Sequence, residues 1–167
     1  MTADSVSAPT AIHATALVVR ESGILVRGPS GSGKSGLALC LLELARERRW
    51  FAALVGDDRV IVQQRGGRLV ARCAANIAGM IERRGQGIVK VQTIAEVVVR
   101  LAVDLAPHDA PIERIAAAQG RPTEIAGVVA PRLAFSPAIS SIERAYAVLE
   151  EIDKRSANPM AVIANFA

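Results

Sequence analysis

The fold is decided by an eight-residue stretch that reads Gly28-Pro29-Ser30-Gly31-Ser32-Gly33-Lys34-Ser35. It matches the pattern G-x-x-x-x-G-K-[ST] at every fixed position, and it lies between an apolar run and a segment with helical spacing. Glycines let backbone N–H groups converge on phosphate oxygens, and the N-terminus of the following helix adds its positive dipole end. The alternative, a Gly/Ser-rich turn that merely caps a helix, does not account for all the fixed positions. The stretch therefore predicts a nucleotide-binding loop at residues 28–35.

Two side chains of this loop have predicted roles of their own. Lys34 is expected to reach the β- and γ-phosphates of a nucleotide such as ATP, and the Ser35 hydroxyl is expected to bind Mg²⁺.

Apolar patterning on both sides of the loop predicts the remaining elements. Short apolar runs bounded by turn residues indicate strands, and Gly66-Gly67 between two such runs indicates a hairpin. Because strands of a hairpin stand beside a strand-loop-helix unit, we expect a mixed sheet in an α/β fold. The expected strands are 14–19, 24–26, 51–55, 60–63, 68–71 and 97–105, and the expected helices are 36–49, 112–118 and 140–154.

Length and composition indicate a single domain. The 167 residues are 51% hydrophobic, so we expect one domain with a continuous core, at residues 13–167. Residues 1–12 are expected to form a flexible N-terminus. The net charge of +4 is not clustered and only 3% of residues are aromatic, which argues against a nucleic-acid partner. No secretory signal or membrane-spanning run is present, so we expect a cytoplasmic protein with no membrane partner. Cys40 and Cys73 lack metal-site spacing and are expected to be buried, reduced thiols.

Two aspartates and a histidine are candidates for the chemistry next to the loop. Asp57 and Asp58 directly follow an apolar strand, at the place where nucleotide-binding proteins of this kind put a carboxylate for Mg²⁺. Since consecutive side chains point in different directions, one aspartate can face the metal while the other acts as a general base. A solvated Gly-Asp-Asp turn is the alternative. His13 precedes the first strand of the domain and is either part of the same site or a surface residue.

A further segment, Glu82-Arg83-Arg84-Gly85-Gln86-Gly87-Ile88, resembles the Glu-x-Arg-Gly-x-Gly signature of the bacterial HPr kinase/phosphorylase family. His13 upstream of the loop and the Asp57-Asp58 pair also match that family's order of elements. The resemblance implies a P-loop kinase domain with a mixed sheet and a phosphoenolpyruvate carboxykinase-like core. It also implies the short, catalytic-domain form, without the N-terminal domain of the longer members.

The resemblance also implies site residues. Asp57 would be the proton acceptor in phosphorylation and the donor in the reverse reaction, and Asp58 would be grouped with the metal ligands. The implied catalytic residues are His13, Lys34, Asp57 and Arg114, and the implied Mg²⁺ ligands are Ser35, Glu82 and Asp58.

The implied activity is a Mg²⁺-dependent, ATP-using protein serine kinase that phosphorylates HPr, regulates the phosphotransferase system and works as a homo-oligomer. The reverse phosphorylase reaction, with inorganic phosphate, is a further implied activity. The sequence differs from the family by Gly36 in place of a glutamate, and by Pro131-Arg132-Leu133 where a Pro-Gly-Arg-Asn stretch is usual. The sequence leaves open pyrophosphate in place of ATP, a small-molecule kinase, and a nucleotide-sensing module without catalysis.

Overall fold

The computed structural model describes residues 6–74 and 79–157, which contain twelve strands and three helices. The strands are β1 (Thr10–Ile12), β2 (Ala14–Val19), β3 (Ser22–Arg27), β4 (Ala52–Gly56), β5 (Val60–Arg65), β6 (Arg68–Cys73), β7 (Met80–Arg83), β8 (Gly87–Lys90), β9 (Glu96–Leu105), β10 (Thr123–Ile125), β11 (Val128–Ala130) and β12 (Arg132–Phe135). The helices are α1 (Lys34–Glu47), α2 (Ile112–Ala118) and α3 (Ser141–Ala157).

A mixed sheet forms the centre of the described residues, as predicted. Its order is β1-β5-β6-β9-β3-β2-β4, and β12 also pairs with β9. The strand β9 is parallel to both β3 and β12, whereas it is antiparallel to β6. The carboxyl ends of these three parallel strands therefore meet at one edge of the sheet, which is the edge where the loop at residues 28–35 follows β3.

Both faces of the sheet are covered by apolar side chains. On one face, α1 and α3 pack against the inward residues of β2, β3 and β9. The fully buried side chains of this layer include Leu17 of β2, Leu41 of α1 and Leu149 of α3. On the other face, Leu25, Val62 and Leu69 belong to a second cluster that lies under β5 and β6. Each of these fully buried aliphatic side chains stabilises the fold by about 1.5–3 kcal/mol. The loop is thus attached to a rigid strand and a firmly packed helix.

The N-terminal prediction is wrong for residues 10–12, which form β1 rather than part of a flexible N-terminus. This strand is antiparallel to β5, with Ala11 opposite Ile61. Upstream, the Gln64 N–H donates to the Ser7 hydroxyl at 2.9 Å and the Ser7 N–H donates to the Gln64 carbonyl at 3.2 Å. Backbone pairing with an edge strand orders this segment although its side chains show no apolar pattern. Residues 1–5 lie outside the described residues.

Several smaller features also differ from the sequence predictions. Some strands have no counterpart among the predicted strands: β7 and β8, which form one hairpin, β10 and β11, which form another, and β12. Each of them has only three or four residues, which is too short for a clear alternation of apolar side chains. Cys40 and Cys73 are half-buried rather than buried. Partial burial nevertheless raises the pKa of the Cys40 thiol, which keeps it protonated. None of the described helices is long and apolar enough to cross a bilayer.

Candidate phosphate-binding site

The loop turns sharply at its two ends, and glycine is required at both. Gly28 has φ 153°, and a Cβ there would stand 2.7 Å from the Leu105 carbonyl oxygen of the neighbouring strand β9. Gly33, with φ 96°, is the left-handed residue that caps α1. Helix α1 begins at Lys34, so its first N–H groups open onto the loop.

Lys34 is a buried lysine at the centre of the site. Its Nζ donates to the carbonyl oxygens of Gly28 at 2.9 Å and Pro29 at 3.0 Å, and lies 2.9 Å from His13 Nε2. Burial lowers the pKa of Lys34 below its usual value, and the carboxylates of Asp57 and Asp58 oppose that shift. An ammonium group has no lone pair, so it must be the donor to His13 Nε2.

This contact assigns the tautomer of His13. If Nε2 accepts from Lys34, the ring proton is on Nδ1, which donates to the Asp58 carbonyl at 2.9 Å and lies 3.0 Å from Asp58 Oδ1. Lys34, His13 and Asp58 therefore form a continuous hydrogen-bonded chain. The Asp58 side chain is 82% exposed, so this series of hydrogen bonds runs from the buried lysine to the solvent.

Asp57 faces the other way, into the protein. One of its oxygens accepts from the Thr15 hydroxyl at 2.6 Å, and the Ser35 hydroxyl donates to the two carboxylate oxygens at 2.9 and 3.1 Å. The two aspartates point apart because Asp58 takes the left-handed conformation, with φ 67°, directly after β4. The two side chains thus contact different groups, while the division into a metal ligand and a general base stays a prediction.

Thr15 was missed by the sequence reasoning. It is fully buried in β2 and holds the inner aspartate. In the sequence, Thr15 is the single hydroxyl residue in the otherwise aliphatic run Ala14–Val19. Patterns of turn residues and charges do not identify such a residue.

The hairpin β7–β8 forms the second wall of the site. Ile81 is buried in the core, and Arg83 pairs with Glu43 of α1 at 2.6 Å, which fixes the hairpin against the helix. Arg84 was also missed, although it lies beside the loop: its Nη2 is 3.4 Å from where a Cβ on Gly31 would stand. The sequence signal for Arg84 is its position in the segment 82–88, in which only Glu82 is predicted to be a site residue.

Loop, aspartates and hairpin enclose one cavity of about 810 Å³. It brings together most of the predicted site residues: His13, Ser30, Gly31, Gly33, Lys34, Ser35, Asp57, Asp58 and Glu82. Arg114 is not among its lining residues; it lies on the exposed helix α2. A second cavity of about 510 Å³, lined among others by Arg68 and Val129, includes none of the predicted residues.

The donor set fits a magnesium ion that is shared with a polyphosphate. No cluster of three or more acidic, histidine or cysteine side chains is found in residues 6–74 and 79–157. Mg²⁺ does not need one, because it keeps several waters and is bound through one or two carboxylates together with substrate phosphates. The hydroxyl of Ser35, the Asp57 carboxylate beside it and Glu82 across the cavity offer suitable oxygen ligands.

Comparisons with known proteins find one matching family model and several similar relatives. The family model of the HPr Serine kinase C-terminal domain matches residues 4–125. The HPr kinase/phosphorylase of Clostridium beijerinckii is 37% identical over 92 residues, which are 55% of this chain and 28% of that relative. The one of Mycoplasma mycoides is 34% identical over 76 residues, 46% of this chain and 22% of the relative. The chain thus aligns with less than a third of the length of these curated relatives.

A solved structure is similar over nearly the whole chain. The Hpr(Ser) kinase/phosphatase from Coxiella burnetii superposes with a TM-score of 0.66 at 25% sequence identity. The superposition covers 89% of this chain and 98% of that one.

Proposed function

The chain belongs to the family of the HPr Serine kinase C-terminal domain, and from this membership we propose that it transfers the γ-phosphoryl group of ATP to a serine of the phosphocarrier protein HPr. The observation that carries the proposal is the cavity in which Lys34, Ser35 and Asp57 meet. A protein that only sensed nucleotides would need one carboxylate for Mg²⁺, whereas Asp57 beside Ser35 and the exposed Asp58 offer a second one for proton transfer. Through HPr, the reaction would regulate the phosphotransferase system.

The loop and Lys34 would bind and orient the phosphates. Backbone N–H groups of the loop and of the first turn of α1 would donate to phosphate oxygens, and the Lys34 ammonium would exchange its carbonyl contacts for β- and γ-phosphate oxygens. His13 would hold the ammonium in place through Nε2. Bound Mg²⁺ would neutralise charge that develops on the phosphates, with Ser35, Glu82 and Asp58 or Asp57 as its protein ligands.

Proton transfer is assigned to an aspartate. In our proposal Asp57 accepts the proton of the HPr serine hydroxyl while the serine oxygen bonds to the γ-phosphorus and the bond from that phosphorus to the bridging oxygen of ADP breaks. In the phosphorylase reaction an oxygen of inorganic phosphate bonds to the phosphorus of phosphoserine, the bond from that phosphorus to the serine oxygen breaks, Asp57 gives its proton to the serine oxygen, and pyrophosphate is released.

The contacts also support a second assignment of the two aspartates. Because Asp57 contacts Ser35, it is well placed to share the metal with that hydroxyl. In that case the exposed Asp58, at the mouth of the cavity beside His13, would accept the serine proton.

The decisive experiment measures binding and transfer separately in two matched variants. Purified HPr is incubated with ATP and Mg²⁺, and the gain of one phosphate is followed by mass. With Asp57 as the base, D57N binds Mg-ATP with nearly wild-type affinity but transfers at least about 100-fold more slowly, whereas D58N loses mainly Mg-ATP affinity. The second assignment predicts the reverse pattern. Wild-type protein that leaves HPr unmodified would refute the kinase proposal.

Arg114 requires a second copy of the chain if it acts in catalysis. It lies on α2, outside the lining of the cavity of its own chain. We therefore propose a homo-oligomer in which Arg114 of one copy reaches the cavity of another. R114M and K34M, each inactive alone, should regain part of the activity when they are mixed and allowed to exchange subunits. An R114M variant with wild-type activity would remove Arg114 from the catalytic residues.

The phosphoryl donor and the reverse reaction are tested in the same assay. Pyrophosphate replaces ATP in one set of reactions, and inorganic phosphate is added to phosphorylated HPr in another. Loop contacts to phosphate oxygens would serve both donors, so we expect transfer from each of them and slow removal of the phosphate from HPr.

A further inference from the structure

Arg144, on α3, is a buried arginine that has no acidic partner among the described residues. Only 4% of it is exposed. Its Nη1 donates to the Ser32 carbonyl at 3.2 Å and its Nη2 to the Ser136 carbonyl at 2.9 Å, while its Nε–H has no acceptor. Burial lowers the pKa of this guanidinium, in keeping with a charge that is not neutralised nearby. Burying such a charge is unfavourable for folding, so stability does not explain its presence.

The position of Arg144 points to the phosphate loop. Its guanidinium lies against the loop backbone, with Nη1 3.4 Å from where a Cβ on Gly33 would stand. It does not line the loop cavity, whereas Gly33 does. Arg144 therefore contacts the loop from behind, on the side away from the space where phosphates would bind.

The contact with Ser32 fixes the orientation of one peptide group. The peptide between Ser32 and Gly33 is trans, as are all described peptide bonds, so its carbonyl and its N–H point in opposite directions. Because the Ser32 carbonyl points back to Arg144, the Gly33 N–H points away from Arg144 and toward the cavity. Glycine rotates easily between backbone conformations, so this peptide needs a partner that keeps it from flipping.

Two further features hold Arg144 in place. The Ser136 carbonyl, directly after β12, accepts from its second amino group. At the start of α3, Ser140 and Glu143 exchange hydrogen bonds: the Ser140 N–H donates to the Glu143 carboxylate at 3.0 Å and the Glu143 N–H donates to the Ser140 hydroxyl at 3.3 Å. The helix end that carries Arg144 is thereby capped next to the loop.

We propose that Arg144 is a positioning residue for polyphosphate binding, which holds the Ser32 carbonyl from behind the loop so that the Gly33 N–H faces the bound phosphate. The proposal rests on the proposed function only in that the cavity takes a polyphosphate. Arg144 lies beyond residues 4–125 that the family model matches, so this role belongs to a part of the chain outside that match.

The test compares two substitutions of Arg144 with a control on the same helix. R144M keeps the apolar stem and removes the guanidinium, and R144K keeps a charge but replaces the planar, forked guanidinium with a single compact ammonium. The control is R155M, because Arg155 pairs with Glu151 at 2.6 Å and does not line the loop cavity. Binding of pyrophosphate is measured by calorimetry, the melting temperature by scanning calorimetry, and the Gly33 amide by ¹H–¹⁵N NMR.

We expect R144M to bind pyrophosphate about 10-fold more weakly, because one amide donor to the anion is no longer oriented. R144K should lie between R144M and wild type, and R155M should bind like wild type. The shift of the Gly33 amide signal on addition of pyrophosphate should be much smaller in R144M. A purely structural role for Arg144 would lower the melting temperature without changing that response.

Wild-type affinity in R144M, or a weakened affinity with an unchanged response of the Gly33 amide, would overturn the proposal. If R144M does not fold, R144K decides by the same two readouts. Wild-type protein that binds pyrophosphate but does not phosphorylate HPr would refute only the proposed function. Wild-type protein that binds neither pyrophosphate nor ATP would refute both.

Discussion

Lys34 shows how a single residue takes its properties from groups that are distant in the sequence. Its place in the loop pattern predicts contact with phosphate, but its protonation depends on burial under His13 and on the carboxylates after β4. Because its pKa is lowered in the folded chain, the unfolded chain keeps this proton to higher pH. The ammonium therefore lowers folding stability near neutral pH, and that loss is relieved as pH rises toward the ordinary value of 10.5.

This shift predicts the pH dependence of phosphate binding. Pyrophosphate stabilises the ammonium of Lys34 and raises its pKa, so the contribution of Lys34 to the affinity should be lost as the pH rises through the lowered pKa of the free protein, which lies below 10.5. In the falling range, binding should take up a proton, which calorimetry in two buffers of different ionisation enthalpy measures directly. K34M lacks this ammonium, so it should bind weakly at every pH and show only the proton exchange of pyrophosphate itself. Equal proton uptake in K34M and in the wild type would contradict this assignment.

At the scale of elements, the long segments were predictable and the short ones were not. Helix α1 and strand β9 have clear patterns, because 10 to 14 residues bury a whole face. The strands β7, β8 and β10 to β12 are only three or four residues long, and their pairing is set by neighbours such as β9 rather than by their own side chains. The hairpin that carries Glu82 was therefore located by its resemblance to a family motif and not by its pattern.

The start of α3 gives a prediction at this scale. Ser140 is the capping residue, and its hydroxyl donates to the Glu143 carboxylate at 2.5 Å. S140A should lower the free energy of unfolding by about 1 kcal/mol, which corresponds to a fall of about 2–4 °C in melting temperature. S140T keeps a hydroxyl at the cap and should stay close to wild type. Equal melting temperatures for S140A and wild type, measured by scanning calorimetry, would show that the cap does not stabilise the helix.

At the scale of the whole molecule, the site depends on the close parallel pairing of β3 with β9. Gly23 permits that pairing, because a Cβ there would stand 2.2 Å from the Val98 carbonyl oxygen. The register of the two strands shifts at this point, between Gly23 and Ile24. The strand that leads into the phosphate loop is therefore positioned by a close backbone contact at its opposite end.

Two glycine-to-alanine substitutions should accordingly have opposite effects. G23A forces the two strands apart and should lower the free energy of unfolding by about 3 kcal/mol or more. G36A lies in helix α1, where its Cβ would have only the Ser141 hydroxyl as a neighbour, at 3.4 Å, and it should stabilise the chain by about 0.5–1 kcal/mol. Denaturant unfolding measures both changes. A G23A variant as stable as wild type would mean that β3 and β9 do not pair closely in solution.

The sequence by itself determined the glycine-rich loop at residues 28–35, the strand and helix around it, and the mixed sheet. These follow from neighbouring residues, because glycine conformations, helix caps and apolar periodicity are local properties of the chain. Only the tertiary structure decided which side chains meet there. Ser35 and Asp57 are 22 residues apart, and Ser32 and Arg144 are 112 apart. Such contacts depend on how the helices and strands pack, and a pattern among neighbouring residues does not determine that packing.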